Sequence, residues 1–281
     1  MTALVPVARR RGGILVTVLL TVAALLWFSP LLILLLTGLR TASDFLAHGP
    51  LSWPTELTLA NFPDAWETGS LATTYRNTIL ITVIKVPLGV LISAMLAFAL
   101  AKLRIRFRAT ILFVVLLGLT IPIYISVVPL FTMLRSVGLT DSLAGLLGPY
   151  LAFGIPFQVL VLHAFFRRLP DEIIEAARVD GASNARIFFR IVLPLSVPAL
   201  VTVGILDAVA TWNEFLMALI LLSSPDNRTL TLGLLGFQGQ FATNYTGLAA
   251  GILLVVAPVL IAYAFLQRYV VSGLTAGSIK G

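Results

Sequence analysis

Six long apolar runs, separated by short polar segments, limit most strongly what this chain can fold into. They cover residues 14–39, 78–101, 111–134, 143–166, 195–222 and 248–271. The bilayer's hydrocarbon, about 30 Å thick, requires about 20 helical residues, so each run is long enough to cross it. Backbone groups in lipid must bond to one another, and the near-continuous apolarity lacks the alternation of barrel strands. The sequence therefore predicts an all-α integral membrane protein with six transmembrane helices in a single domain, residues 1–281.

The composition excludes a soluble enzyme. Of 281 residues, 59% are hydrophobic and 11% are charged, whereas globular domains carry about 25% charged residues. The first run is too long for a signal-peptide core and lacks a small-x-small cleavage site, so we interpret it as a retained signal anchor. The chain has no cysteine, which excludes disulfides.

The net charge of +7 comes from basic residues whose distribution along the chain indicates orientation in the membrane rather than nucleic-acid binding. With a cytoplasmic N-terminus, the inner segments hold most basic residues, namely Arg9, Arg10, Arg11, Lys102, Arg104, Arg106, Arg108, Arg167, Arg168, Arg178, Arg186, Arg190, Arg268 and Lys280. The outer segments hold Arg40, Arg76, Arg135 and Arg228. This asymmetry follows the positive-inside rule. We therefore expect a multi-pass protein of the cell (plasma or inner) membrane with both termini in the cytoplasm and no nucleic-acid partner.

A polar island at residues 167–194 lies between the fourth and fifth runs. A proline and two carboxylates at 170–172 are typical of a helix start. Gly181 follows an aspartate and indicates a turn, because glycine adopts positive φ without steric cost. Ser183 can cap a second short helix, which we expect Pro194 to end. The pattern predicts a cytoplasmic helix–turn–helix with small residues at its apex; an ordinary amphipathic loop on the membrane surface is the alternative.

The island also has a fixed spacing: Glu-Ala-Ala, three residues, glycine, nine residues, isoleucine, one residue, Leu-Pro. This spacing resembles the coupling loop in the membrane subunits of ATP-binding-cassette (ABC) importers. The resemblance implies a type I importer fold, and a loop that fits a cleft on a separate ATPase subunit and transmits its closure to the spans. The docking residues that it implies are Glu175, Ala176, Ala177, Asp180, Gly181 and Ala182.

The end of the chain carries a second resemblance. Residues 273–281 are similar to the tail of carbohydrate-uptake permeases related to the smaller membrane subunit of the maltose transporter, and residues 211–215 are also typical of sugar permeases. In that family the cytoplasmic tail, here residues 272–281, reaches into the ATPase dimer interface. The implied contact residues are Thr275, Gly277, Lys280 and Gly281. A frayed glycine-rich terminus is the alternative.

Polar residues within the fifth run form the candidate solute path. Asp207, Thr211 and Glu214 have the spacing i, i+4 and i+7, which places them on one side of a helix. Ionisable groups inside a span cost about 2.5–3.5 kcal/mol each, so they normally face protein or water. One interpretation is a path lining in which these carboxylates and Asn213 bind sugar hydroxyls and Trp212 stacks. The alternative is hydrogen bonding between helices or to a partner membrane subunit.

The remaining polar residues in the runs have simpler interpretations. We expect Lys85 to extend towards the outer surface and His163 to be a packed or interfacial residue. His48 and His163 are the two histidines and there is no cysteine, so no metal site is predicted. None of the three lysines follows a glycine, which excludes a phosphate-binding loop. Prolines within the runs predict kinks, at Pro87, Pro122, Pro129, Pro149, Pro156 and Pro258.

Together the resemblances imply the membrane subunit of an ATP-driven importer that moves a sugar or related polyol inward by alternating access. The implied partners are a second permease subunit in a heterodimer, two ATP-binding cassette subunits, an extracytoplasmic solute-binding protein and the lipid bilayer. The chain itself is expected to have no catalytic residue and no cofactor, since ATP is bound by the partners. Two alternatives are an ABC permease for a peptide or amino acid and an ion-driven secondary transporter; the second lacks an inverted repeat.

Overall fold

The structure is a computed structural model that describes residues 10–239 and 243–275, with side chains for residues 14–239 and 243–267. Its α-helices are α1 (Arg10–Gly38), α2 (Ala42–His48), α3 (Asn61–Thr68), α4 (Leu71–Lys102), α5 (Arg108–Leu117), α6 (Ile123–Ser136), α7 (Leu143–Phe166), α8 (Asp171–Val179), α9 (Asn184–Ile187), α10 (Leu193–Leu195), α11 (Val197–Trp212), α12 (Leu216–Leu221), α13 (Leu230–Gly233) and α14 (Tyr245–Thr275). The described residues contain no β-strand, only two isolated β-bridges.

Four helical segments are long and apolar enough to cross a membrane: Ile14–Gly38, Leu71–Lys102, Leu143–Phe166 and Tyr245–Gln267. Two bent pairs also pass this test together, Arg108–Thr120 with Ile123–Ser136 and Asn184–Leu195 with Val197–Trp212. Within the described residues there are therefore four candidate spans, or six when each bent pair is counted as one. The all-α membrane fold predicted from the sequence is confirmed.

The third predicted span, 111–134, is divided at a proline. A 3₁₀ turn at Gly118–Thr120 follows α5, and Pro122 then precedes α6 at a bend of 98°. Proline pushes the preceding residue out of the helical region, and Ile121 accordingly has φ −80° and ψ 113°. The kink predicted at Pro122 is present as a sharp corner.

The fifth predicted span, 195–222, also differs from one continuous helix. Before it, a π-helical turn at Phe188–Val192 accommodates Pro194, and the chain bends by 78° between α10 and α11. The extra residue in a π-turn relieves the clash that a proline ring makes with the preceding turn. Residues 213–215 then separate α11 from α12. The break is important for the site, because two of the predicted path residues, Asn213 and Glu214, lie in it.

The chain forms two compact units, where the sequence indicated one domain. One comprises the described chain up to Thr68 and Phe237–Leu254; the other comprises Gly69–Gly236 and the helix from Val255 onward. In the first unit, Arg40 is fully buried and donates to the Gly49 carbonyl at 2.7 Å. The Asn61 amide donates to the Arg40 carbonyl at 2.8 Å, so hydrogen bonds hold this polar segment together.

The second unit has two apolar clusters. One joins α4, α7, α11 and the helices of the 167–194 loop; the other joins α4, α6, α7 and α12. Along α4, Lys85 lies between Ile81 of the second cluster and Ala94 of the first. Along α7, Gly154 likewise lies between the clusters. Polar residues therefore lie between the two apolar clusters, and we expect a functional site at this level of the unit.

Candidate functional site

A buried ion pair joins α4 to α11. The Lys85 ammonium contacts the Asp207 carboxylate and donates to Thr211 Oγ1 at 3.2 Å. Lys85 is 3% exposed and Asp207 is 7% exposed. The expectation that Lys85 reaches towards the membrane surface is wrong. Because an isolated buried charge is highly unfavourable, the ammonium turns inward to the carboxylate.

Helix α7 forms a third wall of this polar region. A Cβ atom at Gly154 would lie 3.0 Å from Lys85 Nζ and 3.1 Å from Asp207 Oδ1, so the missing side chain makes room for the ion pair. One turn further, Gln158 Oε1 accepts a hydrogen bond from Ser93 Oγ at 2.9 Å. Among the described residues, Asp207 Oδ2 and Gln158 Nε2 are buried and make no hydrogen bond. The region therefore contains one acceptor and one donor that the described side chains leave unused.

A cavity of about 260 Å³ lies beside the ion pair. Its polar lining is Lys85, Tyr150, Asp207, Thr211 and Glu214, and its apolar lining is Ile123, Phe153, Gly154, Ala210 and Met217. We call this the polar cavity. It contains three of the five path residues predicted from the sequence.

Glu214 reaches the polar cavity from the break after α11, not from the helical stripe that the sequence predicted. Its carboxylate accepts hydrogen bonds from the Met217 amide at 2.8 Å and the Ala218 amide at 3.1 Å, and so caps the start of α12. The Tyr150 hydroxyl donates to the same carboxylate at 2.6 Å. Asp207 and Thr211 do lie on α11, one turn apart. The three residues meet in one cavity, as their spacing predicted, although Glu214 lies just beyond the end of the helix.

Trp212 and Asn213 lie outside the polar cavity. The Trp212 indole donates to the Val255 carbonyl at 3.1 Å and meets the Tyr75 ring edge-on at 5.9 Å between centroids. It lines a separate apolar groove of about 550 Å³ between α4, α11 and the second half of α14. Asn213 is exposed in the break. The structure thus supplies no stacking surface from Trp212 within the polar cavity.

Sequence reasoning missed Lys85, Tyr150 and Gly154 as members of this site. A usable signal was present for Lys85, because a lone lysine in one run and a lone aspartate in another are the natural partners in an apolar interior. Tyr150 and Gly154 gave no such signal, since aromatic and small residues are common throughout membrane helices.

The 167–194 loop is the helix–turn–helix that the sequence predicted. Gly181 has φ +77°; its amide donates to the Arg178 carbonyl at 3.0 Å, and the Ala182 amide donates to the Ala177 carbonyl at 2.9 Å. These two bonds form a Schellman motif at the end of α8. Ser183 Oγ then accepts from the Arg186 amide at 3.3 Å and caps α9. The predicted turn and cap are both confirmed.

The loop is held to the spans by its apolar face. Ile174, Ala177, Ile187 and Phe188 are buried in the cluster that includes Phe166 at the end of α7. Burying a side chain of this size contributes about 1.5–3 kcal/mol. The loop is therefore a fixed part of the second unit and not a free connection.

The predicted docking residues divide according to the face on which they lie. Glu175, Ala176, Asp180 and Gly181 are exposed, Ala182 is half-buried, and Ala177 is buried in the cluster. Ala177 therefore seats α8 on the spans and does not present a surface to another protein. Next to the turn, Val179 is 88% exposed, although it is apolar. The free face thus combines small, acidic and apolar side chains.

Lys102, at the end of α4, ties both ends of α8 to that span. Its ammonium donates to the Leu169 carbonyl and to Asp171 Oδ1, each at 2.6 Å. Arg178 Nη2 returns a hydrogen bond to the Lys102 carbonyl at 3.3 Å. The hydrogen bond from Lys102 also lowers the pKa of Asp171 below its ordinary value. In the sequence, Lys102 indicated only the orientation in the membrane, and its link to α8 was not predicted.

The tail predicted at 272–281 begins inside a helix, because α14 continues to Thr275. Gly277, Lys280 and Gly281 lie outside the described residues. Within the described residues, no group of three or more histidine, aspartate or glutamate side chains could hold a metal ion.

Candidate spans around a polar cavity, with a rigid loop that exposes small residues, define a membrane transport permease. Residues 87–275 match the model of the family described as "Binding-protein-dependent transport system inner membrane component". The chain belongs to this family, and with its candidate spans it is a multi-pass membrane protein.

Individual relatives of the chain support the same family assignment. The putative ABC transporter permease protein ORF2 of Caldicellulosiruptor sp. (strain Rt8B.4) is 36% identical over 252 residues, 90% of this chain and 91% of that one. The melibiose/raffinose/stachyose import permease protein MelC of Bacillus subtilis (strain 168) is 32% identical over 275 residues, 98% of this chain and 99% of that one. The resemblance to carbohydrate ABC permeases drawn from the loop and tail is confirmed.

A crystal structure shares the fold. It is that of a bacterial ABC transporter involved in the import of the acidic polysaccharide alginate. The TM-score is 0.80 at 26% sequence identity, and the match covers 95% of this chain and 99% of that one. The type I importer-like architecture implied by the loop is thereby confirmed.

Proposed function

We propose that this chain is a membrane-spanning subunit of an ATP-driven ABC importer that moves a sugar or related polyol inward by alternating access. The observation that carries the proposal is the 167–194 loop, which is fixed to the spans by buried apolar residues while Glu175, Ala176, Asp180 and Gly181 are exposed. Such a surface suits a partner that docks closely and moves the spans behind it. The import permeases to which the chain is similar support the solute class.

The proposed assembly pairs this chain with a second permease subunit as a heterodimer. Two ATP-binding cassette subunits bind ATP on the cytoplasmic side, and an extracytoplasmic solute-binding protein delivers the solute. The family's description as binding-protein-dependent supports the last partner. The basic residues near the span ends support cytoplasmic termini. This chain contributes no catalytic residue and no cofactor, because hydrolysis takes place in the partners.

The polar cavity supports a solute rich in hydroxyl groups. Carboxylates accept hydrogen bonds from hydroxyls, and tyrosine and threonine hydroxyls both donate and accept. Asp207 Oδ2 is an acceptor that the described side chains leave free for such a partner. At about 260 Å³, the cavity is slightly smaller than the roughly 300–1,000 Å³ of small-molecule sites. The cavity is therefore suited to be one binding position on a solute path that a second permease subunit completes.

Coupling follows from how α8 is attached. Lys102 joins both ends of α8 to α4, and Ile174 and Ala177 join its inner face to the cluster with α7. Force applied to the exposed face therefore reaches α4 and α7 directly. Both helices also line the polar cavity, so closure of the ATPase dimer changes access to the solute there.

Neighbouring alanines provide a matched test of the docking face. The chain has no cysteine, so Ala176→Cys and Ala177→Cys each introduce a unique thiol. Ala176 is exposed and Ala177 is buried. We expect a thiol at position 176, but not at 177, to cross-link to the ATPase subunit, with a yield that varies with nucleotide. Equal yields at both positions, or none in a transporting complex, would contradict docking at this face.

Uptake measurements test the solute and the energy source. Reconstituted complex, with its binding protein, is supplied with a panel of sugars, polyols, peptides and amino acids. We expect uptake of a sugar or polyol that requires ATP and is insensitive to dissipation of ion gradients. Uptake confined to a peptide or amino acid would identify the non-sugar permease, and gradient-driven uptake without ATP would identify a secondary transporter.

A further inference from the structure

A second polar pocket lies where the ends of α4 and α7 meet the start of α5. It has a volume of about 250 Å³. Its lining consists of three basic side chains, Arg108, His163 and Arg167, and four apolar residues, Leu100, Ala101, Ala109 and Leu112. We call it the basic pocket. None of its residues lines the polar cavity, and none is among the predicted docking residues of the 167–194 loop.

The two arginines of the basic pocket are not neutralised by carboxylates. Neither Arg108 nor Arg167 takes part in an ion pair among the described residues. The carboxylate of Asp171, which lies in the adjoining loop, is occupied by Lys102 at 2.6 Å. Two guanidinium groups and an imidazole around one pocket favour an anion, and the planar fork of arginine suits the paired oxygens of a phosphate group.

The start of α5 adds to the electrostatic attraction between the basic pocket and an anion. Its N-cap, Phe107, has φ 60° and provides no side-chain hydrogen bond to the first-turn amides. Arg108 and Ala109 of that turn both line the basic pocket. The positive end of the helix dipole and its uncapped amides favour a negative group at this position.

The position of the basic pocket matches the boundary of a membrane. The α4 span ends at Lys102, the α7 span ends at Phe166 and α5 begins at Arg108, so the residues of the basic pocket lie at or within about one turn of span ends. Because the lining combines basic and apolar residues, it suits an amphipathic ligand. Basic pockets between membrane helices on the cytoplasmic side bind anionic headgroups.

We propose that the basic pocket is a binding site for a phosphate group, with Arg108 and Arg167 as its principal ligands. Two sources share this chemistry, an anionic phospholipid of the adjacent leaflet and free phosphate. The four apolar residues of the lining favour the phospholipid. The inference rests on the proposed function only in assigning the pocket to the cytoplasmic side; its chemistry is independent of solute and ATPase.

Lipid binding to the purified, assembled transporter tests the site. After delipidation, the complex is exposed to vesicles of phosphatidylcholine with or without phosphatidylglycerol, and bound lipid is counted by native mass spectrometry. We expect Arg108→Gln and Arg167→Gln each to weaken retention of phosphatidylglycerol roughly fivefold, and the double variant roughly 25-fold. Phosphatidylcholine retention should not change.

Arg106→Gln is the matched control. It removes the same charge from the same segment, but its guanidinium stacks on Phe107 at 4.9 Å and does not line the basic pocket. We expect it to retain phosphatidylglycerol like the parent. If the double variant does not assemble, each single variant compared with Arg106→Gln carries the test.

Added inorganic phosphate distinguishes the two sources. Arginine-dependent phosphatidylglycerol binding that phosphate does not displace identifies the phospholipid; displacement by phosphate identifies free phosphate as the ligand of the same site. Retention that is unchanged in both arginine variants, or lost equally in Arg106→Gln, overturns the proposal. Cross-linking from Ala176→Cys and solute uptake report on the proposed function separately, so failure of either inference can be recognised.

Discussion

The polar cavity and the 167–194 loop belong to the same compact unit but use charge in opposite ways. In the polar cavity, Lys85 and Asp207 are buried and face each other. In the loop, the buried side chains are apolar, while Glu175 and Asp180 are exposed. Charge in the cavity is therefore compensated within the chain, between α4 and α11, whereas charge on the loop remains available to a partner.

This difference predicts where substitutions act. Removing one member of a buried ion pair leaves an uncompensated charge and costs about 3–5 kcal/mol. An exposed ion pair contributes about 0–1 kcal/mol. Charge substitutions in the polar cavity should therefore affect folding as well as transport, and charge substitutions on the exposed face of the loop should affect mainly the coupling to a partner.

The largest effect is expected from breaking the buried pair. Lys85→Met leaves the Asp207 carboxylate uncompensated, and we expect a loss of about 3–5 kcal/mol of folding stability. The measurement is the free energy of unfolding in detergent, determined by denaturant titration. Loss of solute uptake should accompany it.

The double variant Lys85→Met/Asp207→Leu is the control for that prediction. It removes both charges and preserves volume, so we expect it to recover most of the stability without recovering transport. If the losses of stability from the two single substitutions simply add in the double variant, the two groups do not stabilise each other. That result would contradict the difference between the polar cavity and the loop.

The next largest effects are expected at two glycines that have the same left-handed backbone conformation. Gly181 has φ +77° and Gly138 has φ +70°, and a Cβ at either meets no atom within 4 Å. Valine at either position should cost about 1–3 kcal/mol through strain alone. Only Gly181→Val should also uncouple ATP hydrolysis from solute, because only that turn meets the ATPase in the proposed assembly.

The readout for the glycines is ATPase stimulation by the solute-loaded binding protein, compared at equal amounts of inserted complex. Normal stimulation in Gly181→Val, or equal loss in Gly138→Val, would remove the 181 turn from the coupling mechanism. The Gly138 variant thus separates backbone strain from contact with a partner.

Lys102 allows the attachment of the loop to be weakened without disturbing its exposed face. Lys102→Met keeps the apolar stem but loses both hydrogen bonds, to Leu169 and Asp171. We expect the complex to assemble and to hydrolyse ATP, with less solute moved per ATP. Asp171→Asn, which keeps the bond to the Leu169 carbonyl, should show a smaller loss. Unchanged transport stoichiometry in Lys102→Met would show that the apolar cluster alone carries the coupling.

The smallest effect concerns Asp141, a half-buried carboxylate that joins the turn before α7 to the segment after α12. It accepts hydrogen bonds from the Ser224 hydroxyl and from the amides of Ser223 and Ser224, which lower its pKa from 3.8 to about 2. Because the pKa is lower in the folded protein, the ionised carboxylate stabilises the fold at pH values above its ordinary pKa of 3.8. This contribution to stability is lost as the pH falls from 3.8 through about 2.

We therefore expect the thermal unfolding midpoint to fall across that acidic window, and to depend less on pH in Asp141→Asn. Asparagine tolerates the positive φ of 53° at this position, so the variant changes charge with little change in backbone conformation. An equal pH dependence in the variant would assign the acid sensitivity to other carboxylates.

Much of the architecture could be predicted from the sequence because its causes are local. Length and apolarity determine which segments can cross a bilayer, and four of the six runs correspond to single candidate spans. Gly181 and Ser183 specify a turn and a cap within a few residues of themselves, so the helix–turn–helix was predictable. The spacing of Glu-Ala-Ala and glycine was sufficient to recognise the family.

Only the tertiary structure decided which polar groups meet. Lys85 and Asp207 are 122 positions apart, and each alone is compatible with several environments. Trp212 follows Thr211 directly in the sequence, yet Thr211 lines the polar cavity and Trp212 lines a separate apolar groove. Ala177 is buried and its neighbour Ala176 is exposed, although the two are chemically identical. Periodicity gives the face on which a residue lies, but what that face touches is determined by contacts between distant segments.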